Sequence, residues 1–178
     1  GTFVFSQYCD SGITITGSVD VDGSLEPTTG VFDMINFNFD NLTSDDFVMS
    51  GAISVDEEGP SSFIAMGFLA EDTVSDKVYW VRDYVMVVTE IDTADVHVSL
   101  TGVFYHPDYG YVNVSTPDPF IFTSTDEWPS SGTMRCEGSG NTTASLTAVG
   151  NRSYRIEADT NGDAADDYFS EIRLWADL

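Results

Sequence analysis

Apolar and polar residues alternate with period two along most of this chain, and helical periodicity is almost absent. Ile13, Ile15, Val19 and Val21 alternate with Thr14, Thr16, Ser18 and Asp20. Phe47, Met49, Gly51, Ile53 and Val55 repeat the pattern, as do Val96, Val98, Leu100, Gly102 and Phe104. Each run predicts a strand with one buried face and one wet face. Residues 63–69 are apolar on both faces and predict a more central strand. In residues 32–39 the apolar phase slips near Met34 and Ile35, which predicts a β-bulge. Turn signals separate the runs: Asp22-Gly23, Glu58-Gly59-Pro60, residues 91–95, residues 106–110 and Val149-Gly150-Asn151. Their frequency predicts about a dozen short strands joined by tight turns. The expected fold class is all-β: an antiparallel meander forming a sandwich or an open barrel-like sheet, in one domain over residues 1–178.

Four segments share a plan: TGSVDVDG from Thr16, SGAISVDEEG from Ser50, TGVFYHPDYG from Thr101 and SGTMRCEG from Ser131. A small hydroxyl residue precedes Gly, a strand follows, and a Gly turn ends it. The spacing is too irregular for a solenoid. It suits hairpin-like repeats in which Gly marks a bend or a close backbone approach. Shared turn chemistry without duplication is the other reading.

Composition narrows the role. Hydrophobic residues are 42% and aromatics 13%, enough to build a core and too many for global disorder. No apolar run approaches the roughly 18–20 residues needed to cross a bilayer. The opening GTFVF reads as a strand and not as a leader, so a leader already removed is the expectation. Thirty acids against six bases give a net charge of −24. With no basic footprint to neutralise phosphate, a nucleic-acid role is excluded and an anionic membrane surface is disfavoured. Cys9 and Cys136 lack CxxC spacing, so a metal or redox motif fits poorly. The expected arrangement is a Cys9–Cys136 disulfide in an oxidising compartment, with two buried free thiols as the other reading. Asn41, Asn113, Asn141 and Asn151 each begin an Asn-x-Ser/Thr site, compatible with export, although chance in a chain so rich in Ser, Thr and Asn is the simpler explanation.

The C-terminal segment SGTMRCEGSGNTTASLTAVGNRSYRIEADTNGDAADDYFSEIRLWADL resembles the ending of repeated β-rich domains in secreted and outer-membrane bacterial lipoproteins of uncharacterised function. Those domains carry a small-Gly strand, a Leu-Thr-Ala strand, an acidic Asp-x-Asn-Gly-Asp-Gly turn and a closing strand with Trp-Ala. The upstream pieces YCDSGITITGSVD and FNFDNLTSDDFVMSGAIS fit the same pattern, so the resemblance covers most of the chain. It implies a secreted or cell-surface β domain. One departure stands out: the second Gly of the acidic turn is Ala164 here.

That turn, DTNGDAADD, is the candidate metal site. Oxygen-rich loops bind Ca²⁺ when side chains at positions 1, 3 and 5 converge with later oxygens. Asp159, Asn161 and Asp163 take those positions, Asp167 takes position 9, and Asp166 is an extra candidate. Ala164 and Ser170 replace the usual Gly and Glu, and the flanks read as strands, so the loop is no EF-hand. A hairpin calcium site and a solvated acidic turn are the two readings. Asp20, Asp22 and Glu26, and the run Asp56-Glu57-Glu58, read more simply as solvated turn carboxylates.

Enzymatic constellations are sparse. His97 and His106 have no neighbours at ligand spacing, and no nucleophile elbow, HExxH or phosphate loop is present; no enzyme is expected. Aromatics cluster mid-chain; core packing and cross-strand aromatic pairs are the first reading, and an exposed glycan or partner surface built on Trp80, Tyr105, Tyr109 and Tyr111 is the other. The N-terminal strand TFVFSQY needs a partner, inside the molecule or by addition to the edge of a neighbour. The expected function is an extracellular structural or adhesive β domain. It would be a subunit or interaction module of a surface assembly, self-associating or bound to other surface proteins, with a filament as one outcome. A carbohydrate-binding module is the alternative.

Overall fold

Each alternating run forms a strand in the computed structural model, which describes residues 1–10, 12–28, 30, 32–91, 95–123 and 126–177. The expected turn at residues 91–95 therefore lies partly outside the described residues. The long strands are β1 (Thr2–Asp10), β2 (Ile13–Leu25), β3 (Phe32–Ser44), β4 (Phe47–Glu58), β5 (Ser61–Asp72), β6 (Lys77–Glu90), β7 (Asp95–His106) and β8 (Gly110–Thr123). Shorter ones follow: β9 (Ser131–Glu137), β10 (Thr143–Ala148), β11 (Ser153–Asp159), β12 (Tyr168–Phe169) and β13 (Arg173–Leu174). Neighbours follow chain order from β1 to β12, and β13 pairs with β11. The fold is all-β, an antiparallel meander, in one strand order. Two compact units divide the chain: Gly1–Tyr84 with Phe104–Gly110, and Val85–Val103 with Tyr111–Leu178.

In the first unit, strand register sorts the residues by face, because directly opposed residues in an antiparallel pair point the same way. One row runs Phe3, Val19, Phe39, Gly51, Phe68 across β1 to β5. The next rows are Val21, Phe37, Ile53, Met66 and Gly23, Ile35, Val55, Ile64. The opposite face carries Asp20, Asn38 and Asp22, Asn36, Ser54, joined by hydrogen bonds from Thr2 Oγ1 to Asp20 (2.6 Å) and from Asn36 Nδ2 to Asp22 (2.9 Å).

Bulges keep this sorting in phase. The predicted slip in β3 lies one residue earlier than expected: Met34 faces Ser24 and Phe32 faces Leu25, leaving Asp33 as the extra residue. A second shift lies between Phe39 and Leu42, where Asn41 takes φ 52° and its N–H is bound by Ser50 Oγ at 2.9 Å. It returns Leu42 to the apolar face opposite Met49. The repeated hydroxyl-Gly pairs mark such places. Gly17 lies where both β1 and β3 shift register against β2, and Gly132 lies opposite the shifts in β8. Gly17 and Gly132 have φ of 126° and 123°, a region that side chains avoid. Gly51 serves differently: its missing side chain lets the Phe39 and Phe68 rings, 6.3 Å apart, close over the backbone.

In the second unit the register gives Val114, Cys136, Ala144, Ala158 on one face and Ser115, Arg135, Ser145, Glu157 on the other. The apolar face is covered. The segment after β13 turns over it, tied by the Trp175 N–H to the Arg152 carbonyl at 3.0 Å. Trp175 stacks on Trp128 (5.9 Å between centroids) and tilts against Tyr154 (4.8 Å). Ala148, Tyr154 and Trp175 are buried, with Phe120, Leu146 and Ile156 packed around them. Trp175→Ala should cost about 3–5 kcal/mol, the usual loss for a large aromatic cut from a core. Urea unfolding followed by tryptophan fluorescence measures it; an unchanged midpoint would mean that this segment does not cover the sheet.

Candidate functional site

Two features of the structure bear on function: the acidic loop with its adjoining cleft in the second unit, and a charge-free, half-buried apolar face in the first.

The acidic loop joins β11 to β12. Asp159, at the end of β11, is only 3% exposed. Its Oδ1 accepts the N–H of Gly162 at 2.6 Å and of Asn161 at 3.2 Å, and its Oδ2 accepts the N–H of Ala164 at 2.8 Å. Asn161 Oδ1 accepts from the N–H of Asp163 at 2.9 Å, and Asp163 Oδ1 from the N–H of Ala165 at 3.0 Å. Asp167 closes the loop by accepting the N–H and hydroxyl of Thr160. The four residues that were candidates for calcium thus bind the loop's own backbone donors. Among the described residues no three His, Cys, Asp or Glu side chains are grouped as a metal site. Burial alone would raise the Asp159 carboxyl; the backbone donors outweigh it and hold the group below the ordinary aspartate value of 3.8.

Two backbone positions shape the loop. Gly162 has φ 79°, and a Cβ there would run into the Gly140 carbonyl oxygen of the turn Ser139–Asn141. Ala164 has φ 69°, the left-handed region that Gly adopts without strain. The residue that departs from the lipoprotein-like pattern is therefore the one held in a Gly conformation.

Beside the loop lies a polar cleft of about 510 Å³, lined by Asn113, Arg135, Glu137, Thr143, Ser145 and Asp166 among others. Arg135 Nε lies 3.1 Å from Glu137, and Arg155 Nε 3.2 Å from Glu157. These groups donate and accept hydrogen bonds. The alternation in residues 133–157 carries the signal for this face, but only register places Asn113 and Arg135 on it together.

The expected Cys9–Cys136 disulfide is not formed, and both thiols are free. Cys9 is exposed on β1, the first strand in the order, while Cys136 is on β9, with β2 to β8 between them in that order. Cys136 lines a smaller recess with Val112, Ala144 and Ala158, and burial pushes its thiol up, away from the reactive thiolate.

The mid-chain aromatics divide between faces. Tyr79 stacks on Phe104 and meets His106 edge-on at 5.2 Å, and His106 lies 4.6 Å from Tyr109. Lys77 pairs with Asp108 beside them. Trp80, with Arg82 over its ring at 5.1 Å, follows Tyr79 in β6 and so faces the other way, as Tyr105 does after Phe104. Trp80 and Tyr105 are thus separated from Tyr109, which is 86% exposed at a turn. Tyr111, in the second unit, is exposed on β8. His97 is half-buried on β7.

The first unit contrasts with the second. None of its described residues is fully buried; its apolar rows, one crossing β1 to β5 and two crossing β2 to β5, have half-buried side chains from β2 to β5. The expected sidedness holds in part: the apolar rows are half-buried while Asp20, Asp22 and Asn38 on the other face are exposed, and β5, apolar on both sides, leaves Leu69 of that other face exposed. The buried residues Val114, Ala148, Tyr154, Ala158, Asp159 and Trp175 all belong to the second unit.

The chain matches no protein family, no curated protein and no solved structure.

Two outcomes follow from the loop. Ala164→Gly should stabilise the protein by about 0.5–1 kcal/mol, the left-handed strain less the extra chain entropy of Gly; an unchanged or lower unfolding midpoint contradicts the strain. Asp159 is depressed in the folded state, so its contribution is present above 3.8 and is lost as pH falls through the lower folded value. Asp159→Asn should therefore lower the melting temperature at neutral pH and flatten its fall in acid. A variant that keeps the full acid slope would assign that slope to other carboxylates.

Proposed function

We infer that the chain is a structural or interaction module of an extracellular assembly, in which a partner covers the apolar face of the first unit. The observation that carries this reading is the charge distribution. Thirty acids are spread over the sequence, yet the rows through Phe39, Phe37 and Ile35 contain no charged residue from β1 to β5. A charge-free apolar face that the chain leaves half-buried is a surface that a partner can bury further. The acids on the other face keep the chain dispersed until a partner is met. The secreted or cell-surface location is supported by the acidic surface and by the exposure of Asn41, Asn113, Asn141 and Asn151. Strand addition at β1 is a second route to assembly, favoured by the exposed Phe3, Val4 and Tyr8 on a strand at the end of the order.

The test is selective charging of one face. The wild-type protein should bind an environment-sensitive apolar dye or associate, and Ile53→Glu should abolish this. Ser54→Glu, one residue on and facing the other way, should leave it intact. A wild-type protein that neither binds dye nor associates at any concentration sinks the reading.

A further inference from the structure

We propose that the polar cleft beside the acidic loop binds a neutral saccharide, with Asn113, Arg135 and Glu137 as its hydrogen-bonding centre and Tyr111 and Phe169 as stacking rings at its sides. The site lies wholly in the second unit and is independent of the apolar face of the first.

The mixture of donors and acceptors is the first argument. Register sets Asn113, Glu137 and Thr143 in one row across β8 to β10, and Ser115, Arg135 and Ser145 in the next. Side chains on such a face stand about 5 Å apart across strands and about 7 Å apart along them. Arg135 only donates, Glu137 only accepts, and the amide and hydroxyls do both. A ligand of acceptors alone, such as a phosphate, would meet Glu137 and Asp166 with its own sign. A ligand of donors alone, such as an ammonium group, would meet Arg135 with its own. A sugar hydroxyl donates one hydrogen bond and accepts two, so adjacent hydroxyls satisfy a mixed set without carrying charge.

The rings are the second argument. Tyr111 precedes Asn113 by two residues in β8 and so shares its face. Phe169 in β12 pairs with Glu157, which lies opposite Ser145 in the row of Arg135. The two rings are 55% and 61% exposed. An exposed ring beside polar groups offers its flat face to the C–H side of a sugar. β8 and β12 are four steps apart in the strand order, so a ligand that meets both rings is longer than one sugar.

Rigidity is the third argument. The cleft's 510 Å³ falls within the roughly 300–1,000 Å³ of small-molecule sites. Thr143 and Ser145 are half-buried on β10, and Arg135 Nε lies 3.1 Å from Glu137. Arg155 reaches both oxygens of Glu157, at 3.2 and 3.4 Å. The loop that brings Asp166 to the cleft is held by the backbone N–H groups bound to Asp159. Side chains already held in place lose little freedom when a ligand arrives.

A glycan array of neutral, sialylated and sulfated oligosaccharides, probed with the full chain produced without N-linked glycans, tests the proposal. Calorimetric titration with the tightest neutral glycan then gives its dissociation constant. Neutral oligosaccharides should be retained and the acidic ones should not. Arg135→Ala should weaken binding about tenfold or more, and Tyr111→Ala and Phe169→Ala roughly three- to tenfold each. Arg135→Lys keeps the charge but loses the planar fork and should weaken binding as the alanine variant does, which preserves the test if that variant fails to fold. Tyr109→Ala and Ile53→Glu, both in the first unit, should leave the constant unchanged. An array that retains no glycan overturns the proposal, and so does one that retains acidic glycans alone. Binding that survives both Arg135 variants, or that is lost with Tyr109→Ala, overturns it as well.

Discussion

A single antiparallel sheet satisfies its backbone and still leaves both faces in water. Its apolar face contributes to stability only when a second layer arrives. The two units meet this constraint differently. In the second, the chain's own end supplies the layer: Trp175 folds back onto Tyr154 and Trp128, and the buried residues collect there. In the first, Phe37, Ile53 and Met66 form a row that no described residue covers fully. The functional reading grows from that difference, because a partner can bury further what the chain leaves half-buried.

The acids serve the fold as well as solubility. Asp159 gathers three backbone donors of its loop. Asp72 does the same at the turn after β5, accepting the N–H groups of Val74 and Ser75 and the Ser75 hydroxyl. Asp126 holds Thr123 and Asn151. A short carboxylate one or two bonds from the backbone is the natural acceptor for a tight turn. Many of the charges in so acidic a chain therefore cap turns, and the six bases leave few carboxylates an ion partner.

Glycine links the repeats to the fold. The hydroxyl-Gly echo is visible in the sequence as similarity between segments, and at Gly17 and Gly132 it corresponds to a register shift with positive φ. These shifts keep long strands in phase. Without the one at Asn41, Leu42 would turn to the acidic face and Asn41 and Thr43 would enter the apolar one.

Strand identity was legible because alternation is local. The period-two runs placed the strands, the slip near Met34 announced a bulge, and DTNGDAADD read as a turn between late strands. The loop's internal bonding was half legible: the spacing of Asp159, Asn161 and Asp163 suits backbone N–H donors as well as it suits a cation, and spacing alone does not separate the two. Burial was not legible. Alternation says which residues share a face but not how completely that face is covered, and so it assigned the first unit a buried side that the structure leaves half-buried. The Cys9–Cys136 pairing was not legible either: two cysteines suggest a bridge, and in the structure both thiols are free. The sequence by itself determined the strands, their sidedness and the turns, since these depend on neighbours along the chain. The tertiary structure alone decided coverage, the free state of both cysteines and the polar cleft at Arg135, since these depend on which distant strands come to lie side by side.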